Sequence, residues 1–109
     1  MTIAISASGN GWKEQIDERF GRAQGFFIID NDNGTTHYLD NTSSVDAAHG
    51  AGTGTVQSLL AEGVNAVVTG RVGPKAADAL AAAGVTVVFA EAGCTIEEAW
   101  KNYKTSRKR

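Results

Sequence analysis

Hydrophobic and polar positions divide the chain into two halves with different rhythms. In the first half the period is two. Thr2 to Ser8 places Ile3 and Ile5 on one face and Ala4 and Ser6 on the other, which predicts a strand running into the loop Ser8-Gly9-Asn10-Gly11. Residues 12–22 have no clean period and read as a long loop with a helical turn, in which Trp12 is either core or an aromatic standing over a site. Phe26 to Asp30 is a second strand, Asn31-Asp32-Asn33-Gly34 a turn, and Thr35 to Leu39 the antiparallel return strand. Asp40 to Ala48 is polar and irregular.

In the second half helix and strand alternate. A helix from Gly52 to Glu62 carries Val56, Leu59 and Leu60 and stops at Gly63. Asn65 to Thr69 is short and apolar, as a buried parallel strand is. Pro74 suits the first position of a helix with the stripe Ala76, Ala77, Leu80, Ala81, ended by Gly84. Val85 to Ala90 is the fifth strand. Thr95 and Glu98 form a capping box for a last helix whose Ile96, Ala99, Trp100 and Tyr103 share a face.

The order β-β-β-α-β-α-β-α predicts an α/β fold. Right-handed crossovers make the later strands parallel and the hairpin supplies the antiparallel side, so the simplest mixed five-stranded sheet has order 3-2-1-4-5 with helices on both faces. Ligands in such sheets bind beyond the strand C-termini where the order reverses. That rim gathers Ser8 and Gly9, the loop His49-Gly50-Ala51-Gly52-Thr53-Gly54-Thr55, the turn Gly70-Arg71-Val72-Gly73-Pro74-Lys75, and Ala92-Gly93-Cys94. Glycines let backbone approach a ligand closely, and helix N-termini favour anions. The bland alternative is a set of tight loops and nothing more.

Composition narrows the chemistry. The 109 residues make one domain, read as residues 1–104 followed by a basic tail, 105–109. Lys101, Lys104, Arg107, Lys108 and Arg109 hold five of the ten basic residues, so residues 1–100 carry five basic against twelve acidic, a formal −7. A body that acidic argues against general nucleic-acid binding. No apolar run approaches the ~20 residues of a membrane span, and Met1-Thr2-Ile3-Ala4-Ile5 has no basic leader region. One cysteine, Cys94, excludes an intramolecular disulfide and fits a reducing cytoplasm.

Enzyme chemistry finds little purchase. A Cys94–His49 nucleophile pair has no support in the spacing, and His37 sits mid-strand. The 3-2-1-4-5 order is that of ribonuclease H-like folds, but the first strand carries no acid for two-metal nuclease chemistry. A Gly-x4-Gly-Lys-Ser/Thr phosphate loop is absent. An anion site is better supported, with Arg71 and Lys75 beside Gly-rich backbone. His49 and Cys94 add a nitrogen and a thiol suited to a transition metal or metal–sulfur cluster, against the plainer readings of a backbone-capping histidine and a small apolar cysteine.

Several motifs in order carry a resemblance: Phe20-Gly21-Arg22-Ala23, then Phe26-x-Ile28-x-Asp30, Gly50-Ala51-Gly52, Gly63-Val64-x-Ala66-Val67, Gly70-x-x-Gly73-Pro74-Lys75-Ala76 and Ala83-Gly84-Val85-x-Val87. Over nearly its whole length the chain resembles the dinitrogenase iron–molybdenum cofactor-binding family, that of NifX, NafY and the C-terminal part of NifB, with small stand-alone members. Arg19 stands where members from nitrogen-fixing systems often have histidine, so the likeness is closer to the stand-alone members. The resemblance implies a ribonuclease H-like fold and non-enzymatic binding or carriage of an iron- and/or molybdenum-containing sulfur cluster or its precursor, accessory to metallocluster biosynthesis. Assembly or acceptor proteins would then be partners. It assigns Phe20, Gly21 and Arg22, Gly50 and Gly52, and Gly70 and Gly73 to the binding loops, with the arginine facing an anionic cluster. The other reading is a small regulatory or binding module for a phosphate-bearing molecule or a protein partner.

Overall fold

The computed structural model of the chain describes residues 1–41, 51–91 and 93–107. Five strands, β1 (Thr2–Ala7), β2 (Gly25–Asp30), β3 (Thr35–Asp40), β4 (Ala66–Thr69) and β5 (Thr86–Phe89), form one sheet of order β3-β2-β1-β4-β5. Three helices are described: α1 (Ala51–Ala61), α2 (Pro74–Ala82) and α3 (Ile96–Arg107). The predicted fold class and strand order therefore hold. β1 is the pivot, antiparallel to β2 with Ile5 opposite Phe27, and parallel to β4 with Ala4 opposite Val67. β2–β3 is antiparallel and β4–β5 parallel. Every strand except β2 thus ends at the same rim. α3 continues through Thr105–Arg107, the start of the segment read as a tail.

The alternation in β1 fills two core layers. Ile3, Ile5 and Ala7 face α3, where Ile96, Ala99, Trp100 and Tyr103 cover them. Ala4 faces the other way, with Phe26, Ile28 and Val67 against Val56 and Leu59 of α1 and Ala76 and Leu80 of α2. Trp12 is core in character: it packs edge-on to Phe27, ring centroids 4.8 Å apart. The β2–β3 turn is organised by Asp30, whose carboxylate accepts from the backbone N–H groups of Asp32 and Asn33. Gly63 and Gly84, both at φ 78°, take the left-handed conformation just past α1 and α2.

The aperiodic stretch after β1 is a strap tied to strand ends. Ile16 N–H donates to Cys94 O, Asp17 N–H to Ser6 O and Phe20 N–H to Arg71 O. Ser6 Oγ bonds both Asp17 O and Thr69 Oγ1. At the crossing over β4, a Cβ on Gly70 would stand 2.7 Å from Glu18 Cα and 2.9 Å from Glu18 O, so only glycine lets the strap lie that close.

Two outcomes follow for stability. Gly70→Ala should cost about 1–3 kcal/mol in denaturant unfolding because backbone must move to admit the methyl group. Gly73→Ser, where a Cβ meets nothing within 4 Å, should stay within about 0.5 kcal/mol; a fully stable Gly70→Ala would mean that the strap is not confined. At α3, the N–H and hydroxyl of Thr95 hold Glu98 below the usual carboxylate range, and Glu98 N–H donates back to Thr95 Oγ1 at 3.1 Å. A lowered folded-state pKa stabilises above the unfolded value and is lost as pH falls through the folded one. Glu98→Ala should therefore melt below wild type at neutral pH and converge with it in acid; a gap unchanged in acid would refute the charged cap.

Candidate functional site

The strap and the turn after β4 meet at the rim and enclose a groove of about 330 Å³, lined by Arg19, Phe20, Gly21, Arg22, Arg71, Val72 and Gly73. Its two walls are joined by backbone: Arg19 and Arg71 form a parallel bridge, and Phe20 N–H reaches Arg71 O at 3.0 Å. Phe20 is buried, edge-on to Phe26 at 5.4 Å between centroids. Behind the groove the buried Asn41, just past β3, donates from Nδ2 to Ala23 O at 2.9 Å and to Gly21 O at 3.4 Å, and accepts from Thr55 Oγ1 of α1 at 3.0 Å. One side chain thus ties the Gly21–Ala23 backbone to the second turn of α1. Gly73 is the N-cap of α2 with Pro74 in the first turn, so free N–H groups open next to the arginines.

The arginines have local partners. Arg19 Nε lies 3.3 Å from Asp17 Oδ1, and that hydrogen bond raises the guanidinium pKa above its ordinary value. Arg71 Nη2 lies 3.8 Å from Glu18 Oε1. Both arginine side chains are more than half exposed at the groove. The groove therefore presents guanidinium groups, two of them paired with carboxylates, beside an apolar floor, and can hold an anion by charge-assisted hydrogen bonds.

Of the residues singled out in the sequence, Phe20, Gly21, Arg22, Arg71 and Gly73 come together here. Gly70 sits beneath Glu18 at the groove's edge. Lys75 is exposed in the first turn of α2, just outside it. Ser8 and Gly9 occupy a different turn: Ser8 donates from N–H and Oγ to Gln15 O, and Gly9 closes against the Glu14 side chain. Gly52 lies in the first turn of α1. His49 and Gly50 lie outside the described residues, as do the polar stretch 42–48, Ala92 and the last two residues of the basic tail.

Cys94 is on the rim but in the other layer. It packs against the core under α3, whereas Phe20 and Val72 belong to the layer under α1 and α2. It lines a separate cavity of about 320 Å³ with Phe89, Glu91, Glu98 and Tyr103. Burial pushes its thiol pKa up and Glu98 and Glu91 add to that, so the thiolate a metal wants is disfavoured. Among the described residues no three His, Cys, Asp or Glu side chains gather as metal ligands. Sequence reasoning did not place Arg19, Asp17, Glu18 or Asn41 in the site; the crowding of charge in Asp17-Glu18-Arg19 beside the Phe20-Gly21-Arg22 motif was the available signal.

Comparison with known proteins agrees with this architecture. An uncharacterised protein of Methanocaldococcus jannaschii is 30% identical over 90 residues, 80% of this chain and 72% of that protein. The apo form of the orange protein from Desulfovibrio gigas superposes with a TM-score of 0.93 at 39% identity, covering 97% of this chain and 88% of that one. A NifB-like protein from Thermotoga superposes at 0.84 and 36% identity, covering 97% and 89%. The family model for the dinitrogenase iron–molybdenum cofactor matches residues 1–106, and the chain belongs to that family.

Proposed function

We propose that the arginine groove receives an anionic metal–sulfur cluster containing iron and/or molybdenum, or its precursor, as cargo that the protein carries in metallocluster assembly without catalysing a reaction. The observation that carries this reading is where the basic residues lie. Of the five in residues 1–100, Lys13, Arg19, Arg22, Arg71 and Lys75, three line the groove and a fourth stands at the start of the adjoining helix, in a body of twelve carboxylates. Charge of that sign is concentrated at one rim against the background of the whole surface. The family supports a group of this kind, and the similarity to a protein solved in an apo form supports a separable one.

The donor set decides how the guest is held. Guanidinium groups and helix N-terminal N–H groups bind the outer sulfur or oxygen atoms of a preassembled anion; they do not bond its metals. Val72, with the buried Phe20 behind it, gives the apolar surface against which a weakly hydrated cluster rests. Cys94 lies in the opposite layer, away from the groove, and is not a ligand in this arrangement. Such cargo needs a reducing compartment, in keeping with a cytoplasmic protein, and its donor and acceptor proteins would meet it at the same rim.

Anaerobic incubation with iron, sulfide and molybdate should give charge-transfer absorption and stoichiometric metal. Arg19→Gln, Arg22→Gln and Arg71→Gln should each weaken retention about tenfold, the worth of one charged hydrogen bond, while Cys94→Ser should leave it unchanged. His49→Ala tests the ligand read from the sequence, with a loss of retention expected if its imidazole bonds the metal. A protein that stays colourless and metal-free, but is stabilised against heat by nucleotides or phosphosugars, would select the phosphate-binding reading instead.

A further inference from the structure

The two carboxylates beside the groove hold their arginines differently. Asp17 accepts from Arg19 N–H at 3.0 Å and from its Nε and Nη2 at 3.3 and 3.4 Å. Its side chain is 9% exposed and its own N–H is bonded to Ser6 O, so this is a side-on clamp that fixes the guanidinium. Glu18 has the opposite character. Its backbone is packed on Gly70 with no room for a Cβ between them. Its carboxylate is half exposed and approaches Arg71 Nη2 only to 3.8 Å, beyond hydrogen-bond reach. An ion pair of that kind between exposed side chains contributes little and breaks readily.

We propose that Glu18 is the groove's resident counter-ion, a displaceable carboxylate that partners Arg71 until an anionic guest replaces it, and that it thereby sets the affinity and the charge selectivity of the site. The inference rests on the reading of the groove as an anion site. A guest must take Arg71 from Glu18 and still sits near the displaced negative charge, so a singly charged anion gains little by the exchange. A multiply charged oxo- or thio-anion gains more, because it engages Arg71 while also meeting Arg19, which Asp17 keeps in place. Binding is then deliberately below the maximum the arginines allow, which suits cargo that has to leave.

The test is a double-mutant cycle read by equilibrium dialysis of molybdate at low ionic strength, on wild type, Glu18→Gln, Arg71→Gln and the double variant. Glu18→Gln keeps the backbone packing on Gly70, and its melting temperature should match wild type. It should bind molybdate about two- to fivefold more tightly, the range of an exposed ion pair, and most of that gain should vanish when Arg71 is also Gln. No gain, or an equal gain with and without Arg71, overturns the counter-ion role while leaving the anion site standing. Failure of all four folded proteins to bind molybdate removes the anion reading itself, and the counter-ion with it.

Discussion

The close approach of Glu18 to Gly70 is the contact on which the site depends. A strap of otherwise aperiodic chain has to cross the ends of two parallel strands, and it lies flat only because Gly70, the residue just after β4, has no side chain. Hydrogen bonds then fix it from three sides, to Ser6 at the end of β1, to Arg71 beyond β4 and to Cys94 before α3. With the strap so fixed, Arg19 and Arg22 face the turn that carries Arg71. Moved by one residue, the same charges would point elsewhere on the surface and the groove would not close.

The rim is divided by the sheet. Because side chains alternate along β1, loops leaving the strand ends fall above or below it, and the two cavities at this edge have different chemistry. The groove at the start of α2 is lined by three arginines. The cavity beside α3 holds Cys94 between acidic neighbours, where burial and the nearby carboxylates push the thiol pKa up. Polar groups inside both layers are matched: among the described residues no buried side-chain nitrogen or oxygen lacks a partner. Asn41 shows what that matching achieves, since one buried amide joins the Gly21–Ala23 backbone to α1.

The architecture was legible because helical periods join the period of two near the middle of the chain, and glycine marks the ends of the first two helices. Strand order followed from crossover handedness once the hairpin was recognised. Strand and helix limits moved by one or two residues, as at Thr86–Phe89 against Val85–Ala90. The groove was half legible: glycine turns and the Phe20-Gly21-Arg22 motif pointed to it, but residues 12–22 have no periodicity to show that they form a strap. Their order is imposed by tertiary hydrogen bonds, so Arg19 and its carboxylate partners stayed hidden. Cys94 was correctly put on the rim, but its layer depends on which face α3 covers.

The two walls of the groove come from distant parts of the chain, and they meet only while β4 is paired with β1. Occupancy of the site and integrity of the sheet are therefore thermodynamically linked: a guest that bridges Arg19 and Arg71 also holds β4 against β1, and adds to the free energy of unfolding with the logarithm of its concentration. On the anion-site reading, a protein with the groove empty opens more often than one with the groove filled, which would give proteolysis a physical basis for distinguishing the two.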